Sequence, residues 1–182
     1  QKRHRDHIKH IPQERKLQKE IPSFYPNEGL ISRKSSSYSP LDKKGCTCPE
    51  ALVVDDDSFN ILVMQNILKN LKISAVSAFN GKKALDIVEE RIRSPCGRKC
   101  KPFRLIFLDC TMPIMDGYEC ARKLKEIFKE NPTYSCPIIA CTAATQLAER
   151  QKAAEAGMDE FCDKPVSKSK IVDLLRKFDL NK

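Results

Sequence analysis

The sequence predicts an α/β domain in which a five-stranded parallel sheet is covered by helices on both faces. From residue 51 onwards, short apolar runs alternate with segments whose apolar residues recur at helical spacing. This strand–helix pair occurs five times, and parallel neighbours in a sheet need crossover helices between them. The length of 182 residues, with 41% hydrophobic residues, suits one such domain plus an additional segment.

The predicted strands are short apolar runs, as is typical of strands buried on both faces of a sheet. They cover residues 51–54, 73–77, 105–108, 137–141 and 158–162. Asp57 or Ser58 caps the first helix, and Asn80-Gly81 marks the turn before the second. The third and fourth helices are predicted over 117–128 and 145–156, and Gly157 ends the fourth. The apolar positions that define the first, second and fifth helices are Ile61, Met64, Leu68 and Leu71, then Ala84, Leu85 and Val88, then Ile171, Leu174, Leu175 and Phe178.

The chain divides into a predicted disordered basic linker, residues 1–49, and a folded domain, residues 50–180. Five prolines interrupt the linker, and it has too little periodic apolar content to form a core. The whole chain carries a formal charge of +9, and the excess of basic residues is concentrated in the linker. Basic charge raises the alternative of a nucleic-acid-binding module, but no recognition motif accompanies it.

Composition excludes several other classes of protein. No unbroken apolar run exceeds four residues, so we expect neither a membrane-inserted segment nor a signal peptide. Trp is absent and aromatic residues make up 7% of the chain, which argues against a stacking surface for single-stranded nucleic acid. The nine cysteines are an odd number, and several lie within predicted strands or helices. We therefore expect a cytoplasmic protein with reduced thiols, whose parent chain could be attached to a membrane.

Reactive side chains follow four of the five predicted strands. They are Asp55, Asp56 and Asp57 after the first, Asp109 after the third, Thr142 after the fourth and Lys164 after the fifth. The carboxyl ends of parallel strands share one edge of the sheet, where such folds bind their ligands. Clustered carboxylates repel one another unless a cation lies between them, and Mg²⁺ prefers carboxylate oxygens. The sequence therefore predicts a magnesium site with a lysine and a hydroxyl that face a phosphoryl group.

The four blocks ALVVDDDSFN, LIFLDCTMPIMDGYE, PIIACTAAT and FCDKPVS, taken in this order, resemble the receiver domain of two-component response regulators. The resemblance covers roughly residues 50–180 and implies the CheY-like, flavodoxin-like strand order 2-1-3-4-5. It implies that Asp109 accepts a phosphoryl group from a phosphohistidine. Asp56, Asp109 and the backbone carbonyl of Thr111 would bind Mg²⁺ directly, and Asp55 would act through a metal-bound water.

The resemblance also assigns roles to residues of the fourth and fifth strands. Lys164 would pair with a phosphoryl oxygen, and the Thr142 hydroxyl would bond another and move towards it. Phe161 matches the switch aromatic residue that turns inwards behind that threonine. The bond between Lys164 and Pro165 matches a cis peptide of the family.

The implied partner is a histidine kinase or a histidine phosphotransfer protein. The context expected from the chain is the C-terminal receiver of a hybrid histidine kinase, and the alternative is a stand-alone single-domain response regulator. The receiver would catalyse its own phosphorylation and dephosphorylation, whereas the parent protein would be the kinase. A further alternative, a Mg²⁺-dependent phosphohydrolase, would carry its nucleophile at the end of the first strand instead of the third.

A long basic insertion, ERIRSPCGRKCKP, precedes the third strand and departs from the family pattern. It carries Cys96 and Cys100, and Cys46 and Cys48 stand just before the first strand. Because the first and third strands are expected to be neighbours, both pairs would emerge at the same edge. Four thiolates suit a tetrahedral structural Zn²⁺ site, and the alternative is four unrelated reduced cysteines.

Overall fold

The fold is known from a computed structural model that describes residues 48–96, 103–143 and 147–180. Nearly all of the predicted linker, together with Cys46 and Cys100, lies outside these ranges. The described part contains strands and helices in strict alternation. In chain order they are β1 (Ala51–Val54), α1 (Ser58–Asn70), β2 (Ala75–Ala78), α2 (Gly81–Arg93), β3 (Leu105–Asp109), α3 (Gly117–Glu130), a 3₁₀ turn (Pro132–Tyr134), β4 (Ile138–Thr142), α4 (Leu147–Glu155), β5 (Glu160–Asp163) and α5 (Lys168–Lys177).

The five strands form one parallel sheet in the order β2-β1-β3-β4-β5, so the predicted fold class and strand order are confirmed. The register pairs Val54 with Leu108 and Asp109 with Cys141. The ends of β1, β3 and β4 therefore lie side by side at one edge of the sheet, and this places the residues that follow each strand near one another.

The sheet separates two apolar layers because successive side chains of a strand point to opposite faces. Leu52 and Val54 of β1 pack on the face covered by α2, α3 and α4. Ala51 and Val53 pack on the opposite face, against α1 and α5. Of the described helices, α4 contributes least to these layers, since Ala153 is its one buried residue.

Helix caps explain where several elements begin. The Asp57 carboxylate accepts a hydrogen bond from the Phe59 N–H at 2.8 Å, so Asp57 caps α1 as one of the two predicted residues. Asn80 caps α2 by accepting from the Lys83 N–H at 2.9 Å. Gly157, with a φ of +83°, ends α4 as predicted.

Two strands begin two residues later than the sequence pattern predicts, and β4 begins one residue later than predicted, at Ile138. The strand predicted over 73–77 runs from Ala75 to Ala78, because Ile73 still bonds to the end of α1 through the Leu68 carbonyl. The strand predicted over 158–162 runs from Glu160 to Asp163, because the Met158 N–H closes α4 through the Ala153 carbonyl. In both places an apolar residue belongs to the preceding helix end, which an apolar run alone does not reveal.

Contacts at the opposite edge of the sheet fix both ends of the basic insertion. Arg91 donates a hydrogen bond to the Pro49 carbonyl at 3.0 Å and lies over the ring of Phe103. Arg104 forms an ion pair of 3.1 Å with Glu50, and both side chains are mostly buried. The segment before β1 and the two ends of the insertion therefore meet at this edge, as predicted from the strand order.

Gly117, the first residue of α3, packs directly on the backbone at the end of β3. A Cβ atom placed there would lie 2.1 Å from the carbonyl oxygen of Asp109, so backbone would have to move. At Gly81 a Cβ would meet the Met115 side chain at 2.8 Å, Cys120 Cβ at 2.9 Å and the Met115 carbonyl oxygen at 3.0 Å, so its nearest backbone atom is 0.9 Å further away than at Gly117. We expect Gly117→Ala to lower the free energy of unfolding by about 2 kcal/mol or more, measured by urea denaturation. Gly81→Ala is the matched control, and an equal or larger loss in the control would contradict this packing.

Candidate functional site

The candidate site lies at the carboxyl edge of the sheet and is built from the ends of four strands. Asp55 and Asp56 follow β1, Asp109 is the last residue of β3, and Thr142 is the last residue of β4. Lys164 follows β5, and its backbone N–H bonds to the Thr142 carbonyl at 2.9 Å. The parallel register brings these groups together although they are up to 109 residues apart in sequence.

Three carboxylates converge in this site. Oxygen atoms of Asp55, Asp56 and Asp109 lie within 4.8 Å of one another. Asp55 and Asp109 are buried, whereas Asp56 is exposed. Lys164 joins the two buried acids, with its Nζ 2.7 Å from Asp55 Oδ2 and 2.9 Å from Asp109 Oδ2. Asp109 Oδ1 also accepts the Thr111 N–H at 3.3 Å.

Burial and the ion pairs shift the pKa values of the central pair. Burial raises the pKa of the Asp109 carboxyl above its ordinary value, although the hydrogen bond from Lys164 opposes that shift. Burial alone would lower the pKa of Lys164, but its hydrogen bonds to Asp55 and Asp109 outweigh this effect and raise the pKa. Lys164 therefore stays charged throughout the physiological range of pH.

The charges in the site favour a divalent cation. Among the described residues, the three carboxylates face the one ammonium group of Lys164, which leaves excess negative charge in a partly buried place. Mg²⁺ takes carboxylate oxygens and keeps several waters, so an acid cluster with one exposed member fits it well. Within the described ranges, these three acids are the group of His, Cys, Asp and Glu side chains that could hold a metal.

The predicted switch residues lie together on one face of the sheet. Thr142 is buried, and Phe161 of β5 pairs in register with Ala140, two residues before Thr142. Phe161 is 8% exposed, and its ring lies under Arg150 of α4, whose guanidinium carbon is 4.5 Å from the ring centroid. The peptide bond between Lys164 and Pro165 is cis, as the family pattern implies.

Of the four cysteines predicted to bind zinc, the structure describes Cys48 and Cys96, which are both partly exposed. Cys46 and Cys100 lie outside the described residues, so the zinc site stays a prediction.

Sequence reasoning missed three polar contacts in and near the site. Asn60 donates from its Nδ2 to Asp55 Oδ1 at 3.1 Å, and the Asp57 N–H donates to the same oxygen at 3.0 Å. The five-residue spacing between Asp55 and Asn60, across a helix start, is a signal that could have indicated the first contact. Tyr118 of α3 donates to Glu149 of α4 at 2.5 Å, and no pattern in the sequence indicates that pair.

Cys110, which follows Asp109, is buried in contact with the Tyr118 hydroxyl. Burial raises the pKa of its thiol to about 11. The thiol therefore stays protonated near neutral pH and offers no competing nucleophile beside Asp109.

A comparison with known protein families matches residues 51–176 to the response regulator receiver domain. The chain belongs to this family. The strand order, the acid cluster and the lysine after β5 agree with membership of this family. The function of a receiver domain is to receive phosphoryl groups in a His-to-Asp phosphorelay.

Relatives of this receiver domain include sensor kinases. The hybrid signal transduction histidine kinase L of Dictyostelium discoideum is 30% identical over 88% of this chain, and the sensor histidine kinase GacS of Pseudomonas protegens is 26% identical over 82%. The chain spans 9% and 15% of the lengths of these two curated relatives.

Solved structures share the fold. A chain in the co-crystal structure of the Saccharomyces cerevisiae phosphotransfer protein Ypd1 with the receiver domain of Ssk1 matches with a TM-score of 0.61 and 25% identity. That match covers 72% of this chain and 88% of the other. The chemotaxis protein CheY4 of Vibrio cholerae matches with a TM-score of 0.57 and 20% identity, over 72% of this chain and 99% of the other. Within the described ranges, no helix is both long and apolar enough to cross a lipid bilayer.

Proposed function

We propose that Asp109 is the phosphoacceptor of this receiver domain and that a histidine kinase or a histidine phosphotransfer protein supplies the phosphoryl group. The observation that carries the proposal is the buried Asp109 carboxylate, which shares one ammonium group with Asp55 and lies within 4.8 Å of Asp55 and Asp56. A carboxylate oxygen of Asp109 attacks the phosphorus atom, the P–N bond to the histidine breaks, and the freed imidazole keeps the bonding electron pair.

The residues around Asp109 supply charge and orientation for this transfer. Asp56, Asp109 and the Thr111 carbonyl would hold Mg²⁺ directly, and Asp55 would hold one of its bound waters. When bound, Mg²⁺ neutralises charge on the transferred phosphoryl oxygens. Lys164, already 2.9 Å from Asp109, is placed to pair with another of these oxygens.

The switch follows from the position of Thr142, which lies buried beside the site. Its hydroxyl bonds a phosphoryl oxygen of Asp109 and draws the end of β4 towards it. Phe161 lies on the same face of the sheet, and its ring contacts Arg150 of α4. A shift of Thr142 therefore changes the position of the Phe161 ring and its contact with α4. Phosphorylation then shifts the population of a two-state surface formed by α4, β5 and α5.

An exposed apolar surface on α1 supports a docking site for the phosphohistidine-bearing partner. We name it the α1 surface, and it consists of Phe59, Leu62 and Val63, which are 67%, 64% and 36% exposed. It adjoins a cavity of about 150 Å³ that Lys164 and Pro165 also line. A partner seated here would bring its histidine to the edge of the sheet where Asp109 lies, while apolar contacts supply affinity.

The wider context in the proposal is a hybrid histidine kinase in the cytoplasm, with a stand-alone response regulator as the alternative. The hybrid kinases among the relatives support the first context. Buried thiols at Cys110, Cys120, Cys141 and Cys162 support a reducing compartment.

Phosphorylation of Asp109 is tested with acetyl phosphate and Mg²⁺. We expect the wild-type protein to gain one phosphoryl group by intact mass and to lose this gain when EDTA removes the metal. Asp109→Asn should gain none, because its amide is not a nucleophile for this transfer. Asp116→Asn, at the exposed cap of α3, is the matched control and should behave as wild type.

An equal mass gain in Asp109→Asn would show that another side chain is phosphorylated. A wild-type protein without mass gain, but with salt-sensitive DNA binding, would favour the nucleic-acid-binding alternative. Steady release of phosphate from phosphate esters would favour the phosphohydrolase.

The α1 surface is tested by transfer from a phosphorylated histidine phosphotransfer protein, with Ypd1 as the probe. We expect Leu62→Ala to lower the rate of phosphoryl transfer roughly tenfold when the partner concentration is below saturation. A tenfold change corresponds to a loss of about 1.4 kcal/mol of binding free energy at the interface. Phosphorylation by acetyl phosphate should be unchanged, since the small donor does not touch α1. Leu147→Ala, on α4 and 81% exposed, removes the same group from a different surface. An equal loss in that control would contradict docking on α1.

The predicted zinc site is tested by metal analysis. We expect one Zn²⁺ per chain in protein purified without chelator, and less than that in Cys48→Ser or Cys96→Ser. The contacts of Arg91 with Pro49 and of Arg104 with Glu50 support the site, because they bring the segments that carry these cysteines to the same edge. Absence of stoichiometric zinc would end the prediction.

A further inference from the structure

The two carboxylate oxygens of Asp55 have different partners. Oδ2 pairs with Lys164 Nζ at 2.7 Å, and the same Nζ lies 2.9 Å from Asp109 Oδ2. On the other side, Oδ1 accepts hydrogen bonds from the Asp57 N–H at 3.0 Å and from the Asn60 amide at 3.1 Å. Of these two donors to Oδ1, the Asp57 N–H is a backbone group and the Asn60 amide is a side chain, so a substitution at Asn60 can remove its hydrogen bond.

The position of Asn60 suits this task. It lies in the first turn of α1, the helix that begins directly after the acids, and it is half-buried beside the site. Its amide is neutral, so it can donate to the carboxylate without cancelling the negative charge that attracts a cation. A lysine at the same place would satisfy the hydrogen bond but would oppose cation binding.

We infer that Asn60 is a positioning residue for Mg²⁺: its amide, bonded to Oδ1, fixes the orientation of the Asp55 carboxylate in the site. This inference rests on the proposed function, since it assigns to Asp55 a place in the cation site. Groups that hydrogen-bond metal-binding carboxylates set their orientation, and their loss typically weakens metal affinity by about 10- to 100-fold.

Asn60 should affect the affinity for Mg²⁺ and leave the phosphoryl-transfer step itself unchanged. Asn60 contacts Asp55 and does not replace Asp109, Thr142 or Lys164. Loss of its amide should therefore raise the Mg²⁺ concentration that gives half-maximal phosphorylation, while the rate at saturating Mg²⁺ stays as in wild type.

Calorimetric titration of the unphosphorylated protein with Mg²⁺ tests the inference directly. We expect Asn60→Leu, which keeps the size of the side chain and removes its donor, to weaken binding by about tenfold. Asn60→Ser is a second variant if the leucine disturbs folding, as judged by circular dichroism and urea denaturation. Asn66→Leu, at an exposed position of the same helix, is the matched control and should bind Mg²⁺ as wild type does.

A double-mutant cycle with Asp55→Asn identifies the group through which Asn60 acts. If Asn60 works through the Asp55 carboxylate, Asn60→Leu should weaken binding no further in the Asp55→Asn background. Unchanged affinity in folded Asn60→Leu and Asn60→Ser, or an equal loss in both backgrounds, would overturn the inference. The proposed function fails separately, namely if the wild-type protein binds Mg²⁺ but acquires no phosphoryl group.

Discussion

The ammonium group of Lys164 between the carboxylates of Asp55 and Asp109 is the interaction on which the site depends. Asp55 and Asp109 are buried acids at the ends of neighbouring strands and repel each other; burial, with the charge of Asp55 adding to it, raises the pKa of Asp109. Lys164, which follows β5, offsets the repulsion between the two acids. Because Asp55 follows β1 and Asp109 ends β3, the ion pairs also link β5 to those two strands. The Lys164 Nζ lies within 3 Å of both acids, so one side chain neutralises part of the charge of each.

Much of the fold and site follows from the sequence because parallel strands have simple geometry. Buried strands read as apolar runs, and their carboxyl ends share an edge, so acids and a lysine that follow such runs are predicted to converge. The structure brings Asp55, Asp56, Asp109 and Lys164 together accordingly. Alternating apolar segments also sufficed to predict the five helices, since each must cover one face of the sheet.

What the sequence does not reveal depends on side-chain direction and on how helices end. Ile73 and Met158 look like strand residues, but their N–H groups close the ends of α1 and α4. The Tyr118–Glu149 hydrogen bond joins α3 to α4 through residues 31 positions apart in sequence, and only the structure shows that these side chains meet. In the sequence, Asn60 looks like an ordinary polar residue of an amphipathic helix, and only the structure shows its hydrogen bond to Asp55.

The way in which α4 is fastened gives the domain a region of low local stability. Across Leu147–Glu155, described throughout, Ala153 is the single buried residue, so the hydrophobic effect contributes little to docking of this helix. Polar contacts hold it instead: Glu149 with Tyr118, and Arg150 with Phe161 and Asp163. Helices α1 and α5 bury larger aliphatic side chains and need more free energy to detach. Detachment of α4 therefore costs less free energy than detachment of α1 or α5, and hydrogen exchange of its backbone amides should be faster than that of the two better-buried helices.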